Sequence, residues 1–193
     1  GGAKPRATNK YKDFMNEQRA LAGERVVVAP EDYKHAKVIA LNVLYNRASA
    51  KVLKLTEHRE TKIEWNNKNF NFRGIIDAHG PKCIMDLKTC ADAETRKFQR
   101  DIITNGYYLQ AAMYMHGLGV DVPYYIVAVD KMGGVSVHVL DEQLMAEGAK
   151  EYEFLLDKFN ECILTDGFHK SYDFWAARFD GIHVAEKPGW MYK

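Results

Sequence analysis

Three charged side chains lie within a short, apolar part of the sequence and could act together. Asp77 ends one run of aliphatic residues, and Asp86 and Lys88 interrupt the next. Alternate residues of a strand face the same side, so a strand over 83–89 would place Asp86 and Lys88 on one face. A hairpin between the two runs would bring Asp77 opposite Asp86. Two carboxylates and an ammonium group would then converge.

This cluster has two interpretations. A cross-strand ion pair on a solvated sheet face is the commoner one, and it would stabilise the fold by only roughly 0.2–1 kcal/mol. The neighbours argue for a buried central strand instead, because they are apolar on both faces: Ile75, Ile76, Ile84, Met85 and Leu87. Two carboxylates in such a place repel each other unless a proton or a cation lies between them.

A hard divalent cation would fit between these carboxylates. Mg²⁺ and Mn²⁺ bind one or two carboxylates and keep water ligands that a phosphate can replace. A neighbouring lysine, here Lys88, can orient or help to deprotonate an attacking water. The pattern therefore indicates metal-assisted hydrolysis of a phosphodiester.

A second group of residues lies on the helix predicted to follow this strand. Gln110 and Tyr114 are four residues apart and would stack on one helix face. Gly106 falls one turn earlier and would let a backbone or a ligand come close. Such a pair is usually a partly exposed helix face, but this helix would pack over the end of the strand that carries Asp86.

The elements that must position these groups follow from hydrophobic periodicity and turn residues. Helices are predicted over 10–20, 30–47, 93–118 and 141–166, and strands over 59–65, 70–78, 83–89, 123–130 and 135–140. Turns are predicted at Asn66-Asn67 and from His79 to Pro81, a weak point of the long helix at Asn105-Gly106, and an N-cap at Asp141.

This order predicts an α/β fold, with a mixed central sheet between helices. We expect a single domain over 1–193, with a peripheral segment over 1–25, a core over 26–167 and an irregular tail over 168–193. The chain has 193 residues, a net charge of +1 and 47% hydrophobic residues, which is typical of a globular protein. A nucleic-acid partner would therefore need a local basic groove.

Two further features bear on location. No apolar run approaches the roughly 20 residues of a membrane span, so we expect no membrane partner. The three cysteines show no paired spacing, which is typical of a reducing cytoplasm and argues against a disulfide framework.

The combined motifs resemble the PD-(D/E)xK nuclease superfamily in its RecB-like branch: Asp77, then Asp86-x-Lys88, then Gln110-x-x-x-Tyr114. More narrowly, residues 73–77, 85–89 and 106–114 look like the phage and prophage exonuclease VIII (RecE-like) family, and the resemblance covers 26–167. It implies a restriction-endonuclease-like core and a Mg²⁺-dependent enzyme, with Mn²⁺ able to substitute. Such an enzyme digests one strand of duplex DNA from an end and leaves single strand for a recombinase.

The resemblance also implies a role for each residue. Asp77, Asp86 and the Leu87 carbonyl would bind the metal. Lys88 would serve the nucleophilic water, and Gln110 and Tyr114 would support the site and the DNA strand. Glu60 is an additional candidate, whose simpler interpretation is an exposed acid at a strand edge. Ile76 replaces the superfamily's proline before the first aspartate. The histidine that the family carries upstream has no counterpart, so we expect the chain to begin part-way into the family pattern.

Two rival functions stay open: a structure-specific endonuclease of the same superfamily, and a catalytically impaired DNA-binding module. The resemblance further implies a homo-oligomeric ring of about three or four copies on double-stranded DNA ends, and a phage single-strand annealing protein as a partner. Arg96, Lys97 and Arg100 would face the channel of the ring or would form an ordinary solvated helix face.

Overall fold

A mixed five-stranded sheet organises the protein in the computed structural model, which describes residues 9–22 and 27–168. The strands lie in the order β1 His58–Asn67, β2 Phe70–Gly80, β3 Cys83–Cys90, β4 Tyr124–Asp130 and β5 Val135–Val139. Strands β3 and β4 pair in parallel, and the other neighbours pair antiparallel. The predicted mixed sheet between helices is confirmed.

Six helices are described: α1 Asn9–Ala22, α2 Pro30–Tyr45, α3 Arg47–Leu53, α4 Thr95–Thr104, α5 Tyr107–Leu118 and α6 Glu142–Thr165. The helices α4 and α5 form the crossover that parallel pairing of β3 and β4 requires. Among the described helices, none combines the length and the apolar character needed to cross a membrane.

The sheet separates two apolar layers. One face packs against α4, α5 and α6, through a core that includes Ile76, Ile84, Phe98, Ala111 and Ile126. The other face packs against α2 and α3, through a core that includes Val43, Val52, Ala78, Met85 and Val127. Neighbouring residues of β3 thus enter opposite layers, as the period of two requires.

The turn between β1 and β2 differs from its prediction at Asn66-Asn67. Both residues belong to β1, and the turn is Lys68-Asn69, whose φ angles are 46° and 69°. A two-residue loop with positive φ at both positions matches the right-handed twist of the strands. The turn predicted from His79 to Pro81 is also shifted, because β2 continues through Gly80.

The predicted single helix over 93–118 is two helices. Gly106 adopts φ 65° and ends the regular backbone between α4 and α5. A Cβ at Gly106 would meet nothing within 4 Å, so the expected close approach at this residue is absent. A glycine is favoured here because the backbone adopts the left-handed conformation. The break separates α4 from α5, and residues of both helices pack in the same core.

Three of the described helices begin at a side-chain cap, and Glu94 is the cap of α4. Asn46 ends α2 earlier than predicted and caps α3, a helix that the periodicity did not predict, by accepting from the amides of Ala48 and Ser49 at 3.0 and 3.1 Å. The Leu144 amide donates to Asp141 at 2.8 Å, so the predicted cap of α6 is confirmed.

Some predictions fall outside the described residues. The start of the peripheral segment before residue 9, the junction at 23–26 and the tail after Phe168 lie there.

Candidate active site

Strands β2 and β3 part where the two aspartates face each other. Their ladder runs from Gly80 and Cys83 to the pair Ala78 and Met85 and then stops, one position before Asp77 and Asp86. The Leu87 amide donates instead to Asp77 Oδ2 at 2.7 Å. The Asp77 carboxylate thus takes the place of a backbone acceptor, which fixes it beside β3.

The backbone near Asp77 is irregular. Ile76 packs in the core beneath α5, whereas Ala78 packs in the opposite layer, so the regular alternation of β2 changes at Asp77. On β1, Glu60 lies opposite Asp77 in the register, but the two residues do not form a ladder pair. The φ angle of Glu60 is 46°. Positive φ is uncommon and costly for a residue with a side chain. Glu60 is exposed.

Lys88 joins the strand to the helix above it. Its ammonium lies 2.7 Å from Asp86 Oδ2 and donates to Gln110 Oε1 at 2.7 Å. Gln110 Nε2 in turn donates to the Tyr114 hydroxyl at 3.3 Å. The residues predicted on β3 and on the helix are therefore in contact, in a chain that runs from Asp86 to Tyr114.

Two residues of this arrangement were missed by sequence reasoning. The Lys88 ammonium lies over the Tyr107 ring, 4.9 Å from the ring centroid, which is within cation–π distance. Gly74 lies against the Tyr114 ring, so that a Cβ there would be 2.7 Å from Tyr114 Cε1. A glycine inside a strand is itself a signal of close approach.

Asp86 is the most enclosed charge of the site, with 5% of its surface exposed. Burial raises the pKa of this carboxyl, the Lys88 ammonium opposes that rise, and the Asp77 charge adds to it. The one partner of Oδ2 among the described residues is the Lys88 ammonium at 2.7 Å, an ion pair whose angles fall outside those of a regular hydrogen bond. A buried carboxylate oxygen with a single ion-pair contact keeps a lone pair for a further ligand.

A hard divalent cation fits this donor set. The buried Asp86 carboxylate lies near the half-buried Asp77 carboxylate, and carboxylate oxygens are the hard donors that such a cation prefers. Within 9–22 and 27–168, no three His, Cys, Asp or Glu side chains form a metal-binding group. Carbonyl and water oxygens would have to complete the coordination shell, as they do for Mg²⁺. The Leu87 carbonyl is a candidate, because Leu87 directly follows Asp86 on β3.

The three basic residues predicted to meet DNA lie on α4, outside this cluster. Arg96, Lys97 and Arg100 are all exposed, while Phe98 of the same helix is buried in the core. Lys97 forms an ion pair with Asp92. Arg96 and Arg100 are four residues apart and so share a stripe of the exposed face.

Comparison with known proteins places this geometry in context. Residues 5–170 match the family described as a PDDEXK-like domain of unknown function (DUF3799). No curated protein matches the sequence. A candidate exonuclease from Eubacterium rectale has a similar structure, with a TM-score of 0.57 and 13% identity over 93% of this chain and 71% of that one. A phage-related exonuclease from Haemophilus somnus 129PT, with a TM-score of 0.47 and 17% identity over 86% of this chain and 91% of that one, is too distant to add to the argument.

Proposed function

The chain belongs to the PDDEXK-like family DUF3799, and from that premise we propose that it is a divalent-metal-dependent exonuclease, which hydrolyses one strand of duplex DNA from an end. The membership confirms the predicted PD-(D/E)xK core, whereas the RecE-like family stays a prediction. One observation carries the proposal: the buried Asp86 carboxylate lies near a second carboxylate, Asp77, and the one described partner of its Oδ2 atom is the Lys88 ammonium. The exonuclease choice is supported by the sequence resemblance.

The metal would be Mg²⁺, with Mn²⁺ as a substitute, held by Asp77, Asp86 and the Leu87 carbonyl. When bound, it supplies Lewis-acid stabilisation of the charge that develops on the phosphate. The bond between Asp77 and the Leu87 amide holds the first ligand against β3. The second ligand, Asp86, is fixed by its burial in the sheet.

Lys88 would serve the attacking water. Its ammonium is held between Asp86 and Gln110, which fixes its position. The side chain therefore loses little conformational entropy during the reaction. The water oxygen forms a bond to phosphorus while the phosphodiester P–O bond breaks; the water gives up a proton to solvent, and the departing oxygen takes one from solvent. Gln110 and Tyr114 keep Lys88 in position and line the path of the DNA strand.

We also propose how the enzyme holds DNA. With a net charge of +1, a single copy has little general attraction for phosphate. A ring of copies around the duplex would keep the enzyme on its track, with Arg96 and Arg100 toward the DNA. Lys97 is less available, because Asp92 already pairs with it. The single strand left behind would suit a phage single-strand annealing protein.

The direct test uses end-labelled linear duplex and covalently closed circular duplex of the same sequence, each incubated with Mg²⁺. We expect the linear DNA to disappear and the circle to persist, with Asp86→Asn protein as the inactive control. Cleavage of the circle would show a structure-specific endonuclease or another internal cutter. Binding of DNA without cleavage, in either Mg²⁺ or Mn²⁺, would show a DNA-binding module.

A further inference from the structure

One buried tyrosine beside the site has no hydrogen-bond partner. Tyr124 has 1% of its surface exposed, and its hydroxyl is, with Asp86 Oδ2, one of two buried side-chain atoms in the described ranges that lack a hydrogen-bond partner. An unpaired buried hydroxyl is costly, so native proteins rarely keep one without a reason. A phenylalanine would fill the same space without that cost.

The position of Tyr124 in the sheet explains what the hydroxyl could serve. Tyr124 begins β4 and pairs in parallel with Ile84, while Ile126 pairs with Asp86. Because alternate residues share a face, Tyr124 lies on the same face of the sheet as Asp86, in the core beneath α5. Burial raises the pKa of the Tyr124 phenol well above its ordinary value, and the charge of Asp86 raises it further, followed by Tyr114 and Asp77.

The Tyr124 hydroxyl and the Asp86 carboxylate are complementary. A phenol hydroxyl is a donor, and an ionised carboxylate is an acceptor with about four lone-pair sites. Metal-bound carboxylates are themselves held by hydrogen bonds from neighbouring residues, and those bonds set the orientation of the ligand. Lys88, which also donates to Gln110, contacts Asp86 at Oδ2 and so uses one of these lone-pair sites.

We propose that Tyr124 is a positioning residue, whose hydroxyl donates to the ionised Asp86 carboxylate and holds it ready for the metal. This inference rests on the proposed function, since it assumes that Asp86 is a metal ligand. The register places Tyr124 two residues before the β4 partner of Asp86 and on the same face of the sheet, and its buried hydroxyl has no other hydrogen-bond partner among the described residues. An unpaired buried hydroxyl lowers the stability of the fold, and a hydrogen bond from it to Asp86 would raise the affinity of the site for metal.

The test compares Tyr124→Phe with Tyr125→Phe, a matched control. Tyr125 is the next residue of β4, is half-buried and packs in the opposite layer. Calorimetric titration with Mn²⁺ should show about 10-fold weaker binding, or weaker still, for Tyr124→Phe and unchanged binding for Tyr125→Phe. Metal-free Tyr124→Phe should melt at the wild-type temperature or above it, because it loses an unpaired polar group.

Each other outcome has a definite meaning. Equal Mn²⁺ affinity of wild type and Tyr124→Phe would overturn the role of Tyr124 while leaving the proposed function intact. A metal-free Tyr124→Phe protein that melts lower or does not fold would make the hydroxyl a structural group and would overturn the proposal as well. Wild-type protein that binds no Mn²⁺ would overturn the metal site itself, and the proposed function with it.

Discussion

The close approach of Tyr114 to β2 predicts a large effect from a small substitution, Gly74→Ala. A Cβ at Gly74 would lie 2.7 Å from Cε1 and 3.4 Å from Cζ of the Tyr114 ring. Ordinary contact begins near 3.4 Å, so the ring must move by about 0.7 Å. Overpacking of this kind costs about 1–3 kcal/mol, and the smaller entropy of the unfolded alanine chain returns about 0.4–1 kcal/mol. The midpoints of these two ranges predict a net loss of about 1.3 kcal/mol in the free energy of unfolding.

The same movement should reach the site. Tyr114 accepts from Gln110 at 3.3 Å, and Gln110 accepts from Lys88 at 2.7 Å, so a displaced ring weakens the hold on the ammonium. Misplacement of a positioned group by about 1 Å can cost on the order of 10²-fold in rate. The assays are denaturant unfolding and single-turnover cleavage of end-labelled duplex.

A second background separates the clash from any general effect of alanine. In Tyr114→Leu protein the ring is absent, so Gly74→Ala should no longer lower the free energy of unfolding, as a double-mutant cycle would show. Wild-type stability and wild-type cleavage by Gly74→Ala alone would refute the reasoning. An equal stability loss in both backgrounds would also refute it.

Three further predictions concern charges. Burial raises the pKa of the Asp86 carboxyl in the folded protein above its value of about 3.9 in the unfolded chain. Metal-free protein should therefore lose stability as the pH rises from the unfolded-state pKa through the folded-state pKa. In denaturant unfolding at neutral pH, Asp86→Asn should be more stable than wild type. Lys88→Ala should lower the single-turnover rate by about 10²–10⁴-fold with little change in DNA affinity; weaker binding with an unchanged rate would make it a phosphate clamp. Arg96→Ala with Arg100→Ala should reduce the salt slope of DNA binding by up to about 2, and Lys97→Ala, whose charge is already paired, should change it less.

The local part of this site could be predicted from the sequence. Asp86 and Lys88 share a face because strands have a period of two, and Gln110 contacts Tyr114 because helix residues four apart are neighbours. Both relations depend on a few consecutive residues. The weak point at Gly106 could also be predicted from the local sequence. The sequence predicts one helix over 93–118, whereas the structure has two separate helices, α4 and α5.

The missed features depend on residues far apart in the chain. The bond from the Leu87 amide to Asp77 requires β2 and β3 to part, which no hydrophobic pattern encodes. The position of Tyr124 follows from the parallel register of β3 and β4, and this register is set by the intervening crossover. The short helix α3 was missed because its Asn46 cap is only recognisable once α2 has ended.

The central claim is that Asp77 and Asp86 hold a divalent cation that cleavage requires. The most direct test is the single-turnover rate on end-labelled linear duplex as a function of Mg²⁺ concentration, for wild type, Asp77→Asn and Asp86→Asn. We predict a wild-type rate that rises to saturation and vanishes in excess chelator, and no cleavage by either variant at any Mg²⁺ concentration. Wild-type cleavage that persists in chelator, or a variant that cleaves at the wild-type rate, would contradict the account.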